Sequence, residues 1–177
     1  MTAELAADRP EEYRRACDRM LRRFEWAIPT ATWTTVPTVN EIALVCTFAP
    51  AAVPDLDRVA TMTEAIVANL PDQPKLLNTH GQVLYRVGRF EDAIHVLQRA
   101  CVVSGADCAW WDAFFLAMAH ARLGHTSEAR QFLGQADERW LQNSPPTAGS
   151  TQSAPDWHDR ALFALLRREA ADVVAGK

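Results

Sequence analysis

The side chains in this chain that could do chemistry are five histidines and four cysteines among 177 residues. The histidines are His80, His95, His120, His125 and His158. None pairs with another at four-residue helical spacing beside an acidic residue, as the zinc-binding motif H-E-x-x-H requires. The serines lack the G-x-S-x-G turn of a catalytic nucleophile, and no glycine-rich phosphate loop is present. We therefore predict that the protein is not an enzyme and has no catalytic residues, no metal site and no cofactor.

The cysteines are Cys17, Cys46, Cys101 and Cys108. The first three each lie within an apolar helical pattern, which indicates packed, reduced thiols. Cys101 and Cys108 lie on either side of the turn SGAD, so a disulfide or a metal pair between them stays open. Their spacing is not that of a zinc site.

Two stretches of the chain repeat one another, GRFEDAIHVLQRA at 88–100 and GHTSEARQFLGQA at 124–136. Four positions recur 36 residues apart: Gly88 and Gly124, Ala93 and Ala129, Leu97 and Leu133, Ala100 and Ala136. A period in the thirties is typical of helical repeat arrays, in which each unit is a helix pair. The two glycines are expected to close the first helix of each pair. The small residues are expected where helices approach closely, as are Gly81 and Ala117.

The stretches NTHGQVLYRVGRFEDAIHVLQRA and WDAFFLAMAHARLGHTSEARQFLGQA resemble the tetratricopeptide repeat. More narrowly, they are similar to the repeat tails of large bacterial proteins that carry protein-kinase or beta-propeller domains. The resemblance implies an all-α, right-handed helical-repeat solenoid of about three helix pairs with capping helices at both ends. His80 and His120 stand where the family usually has other residues.

We predict a single domain over residues 1–177. The helical pattern indicates an N-terminal capping helix at 10–27, a degenerate repeat at 38–71 and repeats at 74–104 and 109–141. The stretch 142–156 is rich in Ser, Thr, Pro and Gly and is expected to be a flexible loop. A C-terminal capping helix is expected at 157–175, since the end faces of a repeat stack need covering.

The resemblance also implies that the first helix of each pair lines a concave groove that binds a peptide or a partner helix. Side-chain amides there suit the backbone of an extended ligand, aromatic residues suit an apolar anchor, and cations favour an acidic ligand. The aromatic residues Trp111 and Phe114 could instead belong to the core. The candidate binding residues are Asn40, Lys75, Asn78, Gln82, Tyr85, Arg86, Trp111, Phe114, Met118 and Arg122.

Composition predicts a globular protein outside the membrane: 49% of the residues are hydrophobic, 23% are charged, and the formal net charge is −4. No apolar run reaches the ~20 residues that span a bilayer. The first residues lack the pattern of a secretion signal, which favours a cytoplasmic location. Arginines recur along the first helix, but acidic residues lie among them, so we expect a solvated face rather than a nucleic-acid site.

The sequence as a whole favours a noncatalytic scaffold that binds another protein or peptide. Two other functions stay open. The chain could be an accessory or regulatory subunit of an enzyme, such as a kinase system, or a module that associates with itself as a homo-oligomer.

Overall fold

The computed structural model describes residues 9–23, 36–105, 109–143 and 157–177. These ranges hold eight helices and no strand. The helices are α1 (Pro10–Arg23), α2 (Val36–Val45), α3 (Leu56–Asn69), α4 (Pro74–Arg86), α5 (Phe90–Val103), α6 (Trp110–Arg122), α7 (Thr126–Asn143) and α8 (Trp157–Val174). The prediction of an all-α protein is confirmed. Most of the stretch expected to be a flexible loop, 144–156, lies outside the described residues.

Helices that follow one another along the chain pack against one another from α1 to α7. In addition, α2 contacts α4, and α4 contacts α6. These three helices therefore lie side by side, and each brings one face to a common surface. The last helix, α8, packs on α6 and α7.

Gly88 and Gly124 end α4 and α6 in the same way, as the repeat predicts. Both have a left-handed backbone, with φ of 82° and 78°. The N–H of the residue after each glycine bonds back to the carbonyl of Leu84 and of His120 respectively, at 2.9 Å in both turns. This is the Schellman arrangement, which favours glycine because it has no Cβ to clash.

The small residues of the repeat lie where helices meet. Ala93, Ala117 and Ala129 have no exposed surface. Gly81 on α4 faces Leu97 on α5 so closely that a Cβ on the glycine would lie 2.6 Å from Leu97 Cγ. A larger residue at this position would force two packed helices apart.

Aromatic contacts and ion pairs hold α8 in place. Phe163 stacks on Trp140 of α7, with ring centroids 4.3 Å apart, and meets Trp110 and Phe114 of α6 at 5.6 and 5.5 Å. Arg167 forms two hydrogen bonds to the carboxylate of Asp137, at 2.8 and 3.1 Å. The C-terminal helix thus covers one side of α6.

The first helix begins at Pro10, as its sequence predicts, and buries Tyr13 and Cys17. Two of its arginines pair with acids on the same helix, Arg14 with Glu11 at 2.7 Å and Arg22 with Asp18 at 2.9 Å. In the described part of the chain, no helix is long and apolar enough to cross a membrane.

Candidate binding cavity

A cavity of about 270 Å³ opens between α2, α4, α6 and α8. Its lining combines polar and apolar side chains. Five of the ten residues predicted to bind a partner line it: Asn40, Lys75, Asn78, Gln82 and Trp111. The other lining residues are Glu41, Leu44, Phe48, Thr79, Asp159, Leu162 and Leu166.

Asn40 and Asn78 stand out because their side-chain amides have no partner. Each is the fifth residue of its helix, in α2 and α4, and both line the cavity. Asn40 is only 9% exposed, yet neither amide makes a hydrogen bond to any residue that the structure describes. Neither amide is among the fully buried polar atoms that lack a partner, so both reach the cavity, where an entering group would find donors and acceptors in place.

Gln82 lines the cavity, but its amide is already bonded. Its Oε1 accepts a hydrogen bond of 2.9 Å from Thr47 Oγ1, and its Nε2 donates one of 3.2 Å to Asp112 Oδ1. Gln82 thus already uses one donor and one acceptor within the core, where its amide joins the turn after α2 to α6.

Asp112 is a buried carboxyl that the sequence reading missed. Burial raises its pKa to about 7, and the hydrogen bond from Gln82 works in the opposite direction. A carboxyl without a nearby cation titrates higher because the interior disfavours its charged form. The signal was present in WWDAFFLAMA, where a single acid interrupts an apolar helix.

Besides Asn40 and Gln82, three of the predicted site residues are buried, all of them apolar or aromatic. Phe114 and Met118 have no exposed surface, which settles the open question for Phe114 in favour of the core. Tyr85 is also buried, with its ring edge-to-face against Phe115 at 5.5 Å. Burial raises the pKa of Tyr85.

The side chain of Arg86 is covered and held by an ion pair. Its guanidinium forms a bidentate ion pair with the carboxylate of Glu169 on α8. The Arg86 side chain is 3% exposed and the Glu169 side chain is 18% exposed. Its Nε donates a 2.7 Å hydrogen bond to the Thr47 carbonyl. Arg86 therefore cannot bind an acidic ligand, because another part of the chain already occupies it.

The charged side chains that line the cavity are Lys75, Glu41 and Asp159. Their formal sum is one negative charge. Arg122 is exposed but does not line the cavity. The expected preference for acidic ligands therefore has no support in the charge of this lining.

The described side chains of His and Cys lie outside the cavity lining. His80 bonds Thr63 Oγ1 at 2.8 Å through Nδ1, and burial lowers its pKa. His120 and His125 face each other with their Nδ1 atoms 3.2 Å apart. Among the described residues, no group of three or more His, Cys, Asp and Glu is placed to hold a metal ion.

Cys101 is disulfide-bonded, so the expectation of a reduced thiol at this position is wrong. Cys101 lies in the last turn of α5, three residues before Ser104, where the turn of Ser104 and Gly105 begins. Cys17 and Cys46 are free and buried, as predicted. Cys108 lies outside the described residues.

Comparisons with protein-family models, with curated proteins and with solved structures gave no significant match. The tetratricopeptide assignment thus stays a prediction that depends on the residues quoted for it.

Proposed function

We propose that this chain is a noncatalytic interaction module of the tetratricopeptide type, which binds an extended segment of a partner protein in the cavity between α2, α4, α6 and α8. The observation that carries the proposal is the pair of unpartnered amides, Asn40 and Asn78, on the wall of that cavity. Each amide can donate to a carbonyl and accept from an N–H, which is the pairing that a peptide backbone offers.

The apolar wall supports a side-chain anchor beside these amides. Trp111 is 36% exposed and lines the cavity together with Leu162 and Leu166 of α8. A volume of about 270 Å³ is slightly below the ~300 Å³ at which sites for drug-sized molecules begin. One large apolar side chain with its flanking backbone suits this size better than a folded helix does.

The charges refine the partner that the sequence suggested. Lys75, Glu41 and Asp159 line the same cavity and are all exposed. One cation beside two acids offers no net positive charge that would favour an acidic segment. The proposed ligand is therefore a segment of low net charge.

The repeat supports the solenoid part of the proposal. Two helix ends 36 residues apart close with the same hydrogen bonds around Gly88 and Gly124, and α2, α4 and α6 lie side by side. In a solenoid of helix pairs, these three helices would be the first members of their pairs and would line the concave side.

The test is a selection of displayed random peptides on the immobilised full chain, followed by titration of the selected peptides in solution. We expect peptides with an apolar residue in a segment of low net charge. The double variant Asn40→Ala/Asn78→Ala should bind them at least tenfold more weakly, because two hydrogen bonds of ~1 kcal/mol each are lost. The matched control is Gln98→Ala, an exposed amide on α5.

The control should bind like the original chain, and all three proteins should melt at similar temperatures. Peptides held equally by the original chain and the double variant would place the binding surface elsewhere. A selection that enriches no peptide over the double variant would contradict the proposed function.

A further inference from the structure

The first helix is attached through a small buried contact. Tyr13 and Cys17 are its two buried residues and lie one helical turn apart, on one face. The Tyr13 hydroxyl donates to the carbonyl of Val45, the last residue of α2. This bond places the next turn of α1, which carries Cys17, over Cys46, the residue after Val45.

Cys17 and Cys46 meet at this contact. The two thiols are close enough that each shifts the pKa of the other, and neither residue has any exposed surface. Both are free cysteines. A disulfide would bring the two sulfur atoms to ~2.05 Å from one another.

We propose that Cys17 and Cys46 form a reversible disulfide that fastens α1 to the end of α2. The oxidant is a small-molecule disulfide such as oxidised glutathione.

The reaction balances as two thiol–disulfide exchanges. A Cys17 thiolate attacks one sulfur of the glutathione disulfide, forming a mixed disulfide and releasing one glutathione thiolate. The Cys46 thiolate then attacks the Cys17 sulfur, which forms the Cys17–Cys46 bond and releases the second glutathione. The two cysteine protons pass to the released thiolates, so the protein loses two electrons and the glutathione disulfide gains them.

The contacts also indicate the order of attack. Hydrogen bonds from Cys46 and Tyr13 lower the pKa of the Cys17 thiol, although burial raises it. Cys46 has its pKa raised, with the hydrogen bond to Cys17 as the largest cause. Cys17 is therefore the thiol that ionises first, and ionised thiols are the ones that attack disulfides.

Access to the buried pair requires α1 to open. The proposal requires α1 to open locally, which is easiest for an element that contributes few buried residues, here Tyr13 and Cys17. After oxidation, α1 can no longer separate from the end of α2. Its residues Pro10, Tyr13 and Arg14 form one wall of a second cavity, of about 290 Å³, against Leu165 and Arg168 of α8. The disulfide would hold this wall in place.

The test is oxidation of the folded full chain in glutathione buffers of increasing oxidised fraction, followed by alkylation, trypsin digestion and mass spectrometry. Cleavage after arginine gives ACDR for Cys17 and peptide 24–58 for Cys46. Cys101 and Cys108 fall together in peptide 100–122, so a bond between them cannot be mistaken for the proposed one. We expect the first two peptides to become linked.

The stability readout uses Cys17→Ser as the matched control. Oxidation should raise the Tm of the original chain about 5–10 °C more than that of the variant, because the cross-link restricts the unfolded chain. Linked peptides that appear only after denaturation in urea would overturn the proposal. So would a native cross-link that raises the Tm no more than oxidation raises that of Cys17→Ser.

Discussion

Helices α4 and α6 carry predicted binding residues at equivalent positions, but these residues differ in whether they line the cavity or are buried. Four predicted binding residues of α4 have a predicted binding residue at the equivalent position of α6, 36 residues later. The pairs are Lys75 and Trp111, Asn78 and Phe114, Gln82 and Met118, and Arg86 and Arg122. On α4, the first three line the cavity. On α6 only Trp111 does, while Phe114 and Met118 are fully buried. For the two arginines the order is reversed, since Arg86 is buried and Arg122 is exposed.

The difference comes from α8. Its Phe163 packs on Phe114, and its Glu169 reaches across to Arg86. A repeat places equivalent residues on equivalent faces, but a helix that docks on only part of the array decides which of them a partner can reach.

Removal of the Phe163 ring should have the largest effect on this comparison. Phe163→Ala is expected to lower the free energy of unfolding by about 3 kcal/mol, because the ring packs on Trp140, Trp110 and Phe114. Urea denaturation measures the loss, and radical footprinting should show Phe114 becoming accessible. The control is Leu141→Ala, at a side chain that is 69% exposed on α7. If Phe114 stays protected in the variant, α8 does not produce the difference between α4 and α6.

The two arginines provide the next test. Arg86→Met should destabilise the protein by about 3 kcal/mol, because Glu169 is left partly buried without its cation. The equivalent change Arg122→Met should cost less than about 0.5 kcal/mol at an exposed position. The double variant Arg86→Met/Glu169→Gln should recover part of the loss. Equal effects of the two single changes in thermal unfolding would contradict the assigned difference.

Asp112 occupies the position on α6 that Leu76 occupies on α4, and it should make stability depend on pH. Its pKa is about 7 in the folded chain and ordinarily 3.8. Between these values the folded state binds the proton more tightly, so the free energy of unfolding falls as pH rises from about 4 to about 7. Above that range the penalty is constant.

Asp112→Asn should remove this penalty and keep an acceptor for Gln82. At pH 8 we expect the variant to be more stable by about 2 kcal/mol, with the gain vanishing near pH 4. Chemical denaturation across this pH range measures the effect. Glu91→Gln, at an exposed carboxylate on α5, is the control. A variant that is equally stabilised at both pH values would show that the charge of Asp112 is not the cause.

The smallest expected effect is on binding through α4. Asn78→Ala should weaken a selected peptide about fivefold, equivalent to ~1 kcal/mol, with little change in melting temperature. The amide has no hydrogen-bond partner among the residues that the structure describes, and Ala is a good helix former. Titration calorimetry with melting on the same samples separates the two quantities. A loss of stability with unchanged affinity would make Asn78 a structural residue.

The sequence by itself determined the helices and the contacts between neighbours. Apolar periodicity within each helix, small residues such as Gly81 and Ala93, and glycines at 88 and 124 act within one or two adjacent helices. Their requirements are therefore visible in local spacing. The same local pattern placed Asn40 and Asn78 on one surface.

Only the tertiary structure decided which residues of that surface remain accessible. The pairing of Arg86 with Glu169 joins residues 83 positions apart, and Gln82 is engaged by Thr47 and Asp112 from two other elements. No periodicity connects such positions, because an ion pair or hydrogen bond between distant segments depends on where α8 and the turn after α2 come to lie. The spacing of residues could place side chains on a face, whereas burial of that face required the helices that cover it.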